Sequence, residues 1–122
     1  MLETGDHLPA GEAPVDSRPE WDFAAARPLP GEWINNAFSA WDGGACVVWP
    51  DHKLALDIKA DPPLSTYIVY SPGGGADFFC FEPVTHRVDA HNLPGGPEAN
   101  GLTILSARET LSASCRFRPR RL

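Results

Sequence analysis

The stretch that decides the fold is Phe78–Asn92, FFCFEPVTHRVDAHN, in which an apolar aromatic run ends in a carboxylate. Pro83 follows Glu82 directly, and a proline cannot donate to a β-ladder and holds the residue before it in extended geometry. The pattern predicts a strand over Phe78–Phe81 that stops at Glu82 and presents this carboxylate at the rim of a sheet. A carboxylate at such a rim suits general acid/base chemistry on a neutral polar ligand.

Length and composition indicate one turn-rich domain. The chain has 122 residues, enough for a single core, and its 13 prolines and 11 glycines favour turns over long helices. We therefore expect residues 1–122 to form one domain. Residues 1–32 form a loop-rich lead-in, with short strands predicted near Asp6–Leu8 and Trp21–Phe23.

The charge distribution argues against a nucleic-acid partner. The formal net charge is −6, and phosphate binding needs a basic surface. The one dense group of arginines lies at the C-terminal end, where we expect a solvated tail. Its members are Arg116, Arg118, Arg120 and Arg121.

The remaining global features favour a cytoplasmic protein. The three cysteines are widely spaced and form no zinc-ligand pattern, so buried, reduced thiols are expected. The acidic start of the chain lacks the apolar core of a signal peptide. No apolar run approaches the ~18 residues of a membrane span, and no membrane partner is expected.

Alternating apolar residues predict strands at hairpin spacing. Leu54, Leu56 and Ile58 alternate with more polar positions, as in a half-buried strand. Such strands with no credible helix predict an all-β fold, an antiparallel β-sandwich. The predicted strands are Ala45–Trp49, Leu54–Ile58, Tyr67–Tyr70, Phe78–Phe81, Leu102–Leu105 and Leu111–Phe117.

The loop after Glu82 carries the polar residues most suggestive of a site. Glu82 is either a general base or hydroxyl acceptor, or a strand-end carboxylate that caps backbone donors of the loop. His86, Asp89 and His91 follow it without the spacing of a metal site, so no metal is predicted. We expect His86 and Asp89 to shape the loop by pairing with each other or with backbone groups.

A second group of residues suits a carbohydrate. Aromatic rings cover the apolar faces of sugars, while amides and carboxylates bond their hydroxyls. Trp41 adjoins Asp42, and Asn35 and Asn36 lie shortly before them. The alternative is that the tryptophans belong to the core.

These motifs resemble the C-terminal part of aldose 1-epimerase (galactose mutarotase)-like proteins, and the likeness runs along nearly the whole chain. The segment around Glu82 is its most specific part. The matching segments are Leu8–Glu12, Trp21–Phe23, Ile34–Gly43, Trp49–Asp51, Tyr67–Tyr70, Phe81–Asn92 and Gly101–Ser112.

The resemblance implies part of a galactose mutarotase-like β-sandwich that interconverts the α and β anomers of a free aldose, without a cofactor. It places the general base at Glu82 and a sugar contact at Asn35, where the family has an aspartate. Asp42 and Trp41 are the further predicted substrate contacts, and the expected ligand is an aldohexose monosaccharide.

The resemblance also implies that the general acid lies in an N-terminal half that this chain does not contain. General acid catalysis is worth about 10²–10⁴ in rate, so the isolated chain should be a feeble mutarotase. Three hypotheses follow. In the first, a homodimer mate or complementing chain supplies the acid. In the second, the domain binds carbohydrate, or is a remnant, without catalysis. In the third, it is a purely structural sandwich whose exposed edge recruits a partner.

Overall fold

The structure, a computed structural model, describes residues 2–3 and 8–122. Eight strands account for most of the regular structure, and the helical segments are short: two 3₁₀ turns, Val15–Ser17 and Pro19–Trp21, and one α-helical turn, α1 (Gly96–Ala99). The strands are β1 (Leu2–Glu3), β2 (Pro9–Gly11), β3 (Ile34–Phe38), β4 (Gly44–Trp49), β5 (Leu54–Ala60), β6 (Thr66–Ser71), β7 (Cys80–Val84) and β8 (Cys115–Arg121). No helix of the described residues is long and apolar enough to cross a bilayer.

The main strands form two three-stranded antiparallel sheets. The first sheet has the order β3-β6-β7 and the second the order β4-β5-β8, while β1 and β2 pair with each other. The predicted all-β class, with its strands in antiparallel sheets, is therefore confirmed.

Register divides the first sheet into two faces. Side chains alternate along a strand, so residues of one parity share a face with their cross-strand partners. The Glu82 face consists of Asn35, Ala37, Thr66, Ile68, Tyr70, Cys80, Glu82 and Val84. The aromatic face consists of Ile34, Asn36, Phe38, Tyr67, Val69, Ser71, Phe81 and Pro83.

The second sheet has one apolar and one charged face. Its apolar face consists of Ala45, Val47, Trp49, Leu54, Leu56, Ile58, Ala60, Cys115, Phe117 and Pro119, with Arg121 at one end opposite Leu54. Its charged face includes Cys46, Val48, Asp57, Lys59, Arg116, Arg118 and Arg120. On the charged face the Arg120 guanidinium donates to the Asp57 carboxylate at 2.9 Å, which holds the pKa of Asp57 below its ordinary value.

The fully buried core is small for a chain of this length. Ile34 is completely buried, and Val69 and Ile58 are 3% and 4% exposed. The other buried apolar residues are alanines, at 37, 55, 60 and 90. Large apolar side chains are well exposed elsewhere, among them Leu54, Phe78 and Phe117.

Several predicted elements differ from the structure. Trp21 ends a 3₁₀ turn instead of starting a strand, and Leu102–Leu105 is irregular. The predicted strand at Leu111–Phe117 begins only at Cys115. The prediction near Asp6–Leu8 falls, except for Leu8, outside the described residues.

The arginine-rich C-terminus is a strand and not a solvated tail. Strand β8 pairs with β5 along its length, from Cys115 opposite Ala60 to Arg121 opposite Leu54. Because side chains alternate, Arg116, Arg118 and Arg120 all lie on the charged face. The cysteines are free, as predicted, but none is fully buried: Cys46 is exposed, and Cys80 and Cys115 are half-buried.

Candidate functional site

Glu82 lies within a strand and not at its end. Strand β7 continues through Pro83 to Val84, and Glu82 stands opposite Ile68 of β6. The sheet order makes β7 an edge strand, and an edge position is where a strand tolerates the missing N–H of proline. The carboxylate is exposed on the sheet surface. The predicted position at the rim of a strand end is thus wrong, whereas the exposure of Glu82 is observed.

Asn35 shares the Glu82 face. It stands opposite Tyr70, which in turn stands opposite Cys80, two residues before Glu82. Adjacent strands lie about 4.8 Å apart and a two-residue step spans about 7 Å. The backbone positions of Asn35 and Glu82 are therefore separated by roughly 10 Å across the strands and roughly 7 Å along them. Two polar side chains converging over that span can contact different hydroxyls of one small ligand.

Trp41 lies on the other side of this sheet. Its ring makes edge contacts with Tyr67 and Phe81 of the aromatic face, each with centroids 5.6 Å apart. Its indole N–H donates to the carbonyl of Gly44 at 2.7 Å. The structure therefore does not bring Trp41 together with Glu82.

Asp42 takes part in the turn between β3 and β4. Its Oδ1 accepts a hydrogen bond from the backbone N–H of Gly44 at 2.9 Å, and Lys59 Nζ donates to its carbonyl at 3.3 Å. An aspartate that bonds the backbone two residues ahead stabilises a tight turn. Asp42 itself is exposed. Its role as a substrate contact stays a prediction, as does that of Trp41.

His86 and Asp89 each bond a near neighbour in the loop after β7. His86 Nδ1 lies 2.8 Å from Thr85 Oγ1. Asn92 donates to the Asp89 carboxylate at 2.6 Å and its backbone N–H donates to the Asp89 carbonyl. Asp89 has φ 59°, the left-handed geometry that aspartate tolerates better than most residues. Among the described residues no group of three His, Cys, Asp or Glu side chains could hold a metal ion.

Asn100, which the sequence analysis did not single out, holds this loop together. It is 4% exposed, and its Nδ2 donates to the carbonyls of Pro94 and Gly96 at 3.1 and 2.7 Å. Its Oδ1 accepts from the Arg87 guanidinium at 3.3 Å, and its carbonyl accepts from the Arg87 N–H. An asparagine directly before a glycine is a common turn pattern, so the sequence alone does not distinguish this residue.

The aromatic face carries a continuous row of rings. Tyr67 stacks between Phe38 and Phe81, with centroid distances of 4.9 and 5.0 Å. Burial, and then the charge of Asp22, raises the pKa of Tyr67 to about 12. A phenol with this pKa stays protonated at neutral pH, so Tyr67 acts here as a packing residue.

The Glu82 face offers few other titratable groups. Among its described strand positions these are the phenol of Tyr70 and the thiol of Cys80, with no second carboxylate and no histidine. Glu82 is thus the one carboxylate among the described strand positions of this face.

Comparison with known proteins gives two relatives, both from Escherichia coli K12, and no protein-family model matches. The uncharacterized protein YphB is 36% identical over 93 residues, which cover 71% of this chain and 32% of YphB. A crystal structure of a "putative aldose 1-epimerase" superposes with a TM-score of 0.83 at 30% identity, over 99% of this chain and 42% of that one. The chain thus spans less than half the length of either relative, and its predicted likeness to part of an aldose 1-epimerase-like protein is confirmed.

Proposed function

We propose, from a chain that is aldose 1-epimerase-like in fold, that the Glu82 face binds an aldose and opens its ring. One observation carries the proposal: Glu82 and Asn35, the two residues that the resemblance assigns to base and sugar contact, share one sheet face. Glu82 is exposed there and free to meet a ligand. Asn35 would bond a sugar hydroxyl through its amide, which both donates and accepts.

The reaction would begin with proton transfer to Glu82. The carboxylate takes the proton of the C1 hydroxyl, the bond between C1 and the ring oxygen breaks, and its electron pair moves to the ring oxygen, which is protonated. The open-chain aldehyde rotates about the C1–C2 bond. On reclosure the hydroxyl that was the ring oxygen returns its proton to the acid and attacks the opposite face of the carbonyl, while Glu82 gives its proton to the new C1 hydroxyl, which yields the other anomer.

Among its described strand positions, the Glu82 face has no clear candidate for the acid that protonates the ring oxygen. Tyr70 and Cys80 are the remaining titratable side chains at the strand positions of this face, and both are weak acids. With water as the acid, the reaction is slower by a factor of about 10²–10⁴ than with a positioned general acid. We therefore expect slow but Glu82-dependent mutarotation by this chain, and faster mutarotation when another polypeptide supplies the acid.

Polarimetry of α-glucose and α-galactose tests the proposal. Glu82→Gln keeps the size and loses the base, so mutarotation above the buffer rate should disappear. Glu98→Gln is the matched control, because Glu98 is an exposed glutamate on α1, away from the Glu82 face. Equal rates in the wild-type chain, Glu82→Gln and buffer would sink the enzymatic proposal.

The second candidate is a carbohydrate-binding domain without catalysis. It is favoured by the absence of a second carboxylate or histidine from the described strand positions of the Glu82 face. Calorimetric titration with a 1,5-anhydro sugar, which has no anomeric hydroxyl, separates the two. Binding that Asn35→Ala abolishes, together with mutarotation at the buffer rate, supports this candidate. A chain that neither binds the sugar nor accelerates mutarotation would exclude both candidate functions.

A further inference from the structure

The two sheets leave a large unfilled space between them. An open cleft of about 950 Å³ is lined by rings of the aromatic face, by side chains of β4 and by residues of the segments before β3 and between β6 and β7. Natural cores pack as densely as organic crystals and contain few voids larger than a water molecule. The side chains that line this space therefore lack packing partners. Representative lining residues are Phe38, Tyr67, Phe81, Ala45, Val47 and Trp49.

The apolar face of the second sheet continues this unfilled surface. Leu54, Trp49 and Phe117 lie on it and are 43%, 38% and 54% exposed. Isolated exposed apolar residues are ordinary, but a contiguous apolar face marks a surface that packs against something. The opposite face of the same sheet bears Asp57 and alternate arginines of β8, as expected of a solvated surface.

The edge of the second sheet at β4 is also open to pairing. Among the described strands β4 pairs only with β5, and its sequence GACVVW contains neither proline nor charge. Natural proteins place prolines and charged residues on solvent-facing edge strands, where these residues discourage pairing with another strand. Strand β8, at the other edge, has Pro119 and four arginines. An unprotected edge beside an apolar face suits the addition of another strand.

We infer that the apolar face and the β4 edge form a docking surface for a polypeptide equivalent to the part of the solved E. coli neighbour that this chain leaves unmatched. That neighbour superposes with a TM-score of 0.83 while this chain accounts for 42% of it, so more than half of its fold lies outside the shared part. The inference concerns assembly and does not rest on the proposed function.

Two aspartate variants separate this docking surface from the rest of the sheet. Leu54→Asp puts a carboxylate on the apolar face, and Arg116→Asp puts one on the charged face of β8, at the edge away from β4 and outside the lining of the cleft. Both residues are exposed, so both variants should fold. Circular dichroism confirms the fold of each before use.

The experiment is coexpression of this chain with a tagged polypeptide comprising the unmatched part of the E. coli neighbour. We expect a 1:1 complex on size exclusion and a tagged partner that is soluble only in the presence of this chain. Leu54→Asp should weaken the complex at least thirtyfold, the loss of a ~2 kcal/mol hot spot. Arg116→Asp should change it by about twofold or less.

Each other result overturns the inference. A tagged partner that precipitates equally with and without this chain shows that the surface does not complete its fold. A soluble partner that elutes separately shows the same. Equal weakening by both variants places the contact elsewhere. A homodimer of this chain that Leu54→Asp disrupts would assign the surface to a second copy instead.

Discussion

Replacing Gly43 with alanine should destabilise the chain far more than an ordinary turn substitution. Gly43 has φ +80°, and a Cβ built there would lie 2.6 Å from the carbonyl oxygen of Ala60. The left-handed conformation costs an alanine about 1–2 kcal/mol. Relieving the clash moves the segment that accepts the Ala60 N–H at 2.8 Å, and a lost buried hydrogen bond costs about 1–3 kcal/mol. We expect a loss of about 2–5 kcal/mol in the free energy of unfolding, a large share of the about 5–15 kcal/mol typical of domains.

Gly75→Ala is the matched control for this prediction. Gly75 has φ +96° but no atom within 4 Å of its virtual Cβ, so only the conformational cost of about 1–2 kcal/mol remains. Urea unfolding followed by circular dichroism measures both variants. If Gly43→Ala and Gly75→Ala lose equal stability, the close approach of Gly43 to Ala60 has no energetic role. The connection of the two sheets at this turn would then rest on other contacts.

Two further predictions concern the loop and the aromatic face. Asn100→Ala should cost about 2–4 kcal/mol and speed hydrogen exchange across residues 85–101, because it removes bonds to Pro94, Gly96 and Arg87 from a buried site. Asn92→Ala, exposed, should cost under about 1 kcal/mol, and equal costs would contradict the role of Asn100. Because the pKa of Tyr67 is raised to about 12, the unfolded chain ionises this phenol first, so stability should fall as pH rises from 10.0, the ordinary pKa of tyrosine, to about 12. Tyr67→Phe should remove that alkaline loss, measured as unfolding free energy against pH, and an unchanged pH dependence would refute the assignment.

Strands with one apolar and one polar face could be predicted from the sequence. Leu54, Leu56 and Ile58 alternate with positions that the structure places on the charged face, and the observed strand β5 contains the predicted one. The predicted strands at Ala45–Trp49 and Tyr67–Tyr70 are likewise confirmed within β4 and β6. In each case the period of two is set locally, by the alternation of side chains along an extended chain.

Strands whose pattern depends on distant partners could not be predicted in the same way. Strand β3 contains Asn35 next to Asn36, and neither alternation nor β-propensity marks such a pair as a strand. Strand β8 has three arginines on one face and looks like a charged tail until β5 is placed beside it. Tertiary pairing decides both elements, and a single sequence does not contain it.

The candidate site likewise depends partly on local sequence and partly on tertiary strand pairing. The sequence identifies Glu82 as a carboxylate before a proline, but only the pairing of β7 with β6 puts it within a strand and on the face that carries Asn35. Pro83 also affects how β7 can pair. Because proline has no N–H, this edge strand offers one hydrogen-bond donor fewer and is a poor template for a further strand. The β7 edge, beside Glu82, is therefore protected against pairing with another strand, whereas the β4 edge of the other sheet is not. Growth of the sandwich at β4 would complete the core without covering the Glu82 face, so assembly and ligand access are compatible in one chain.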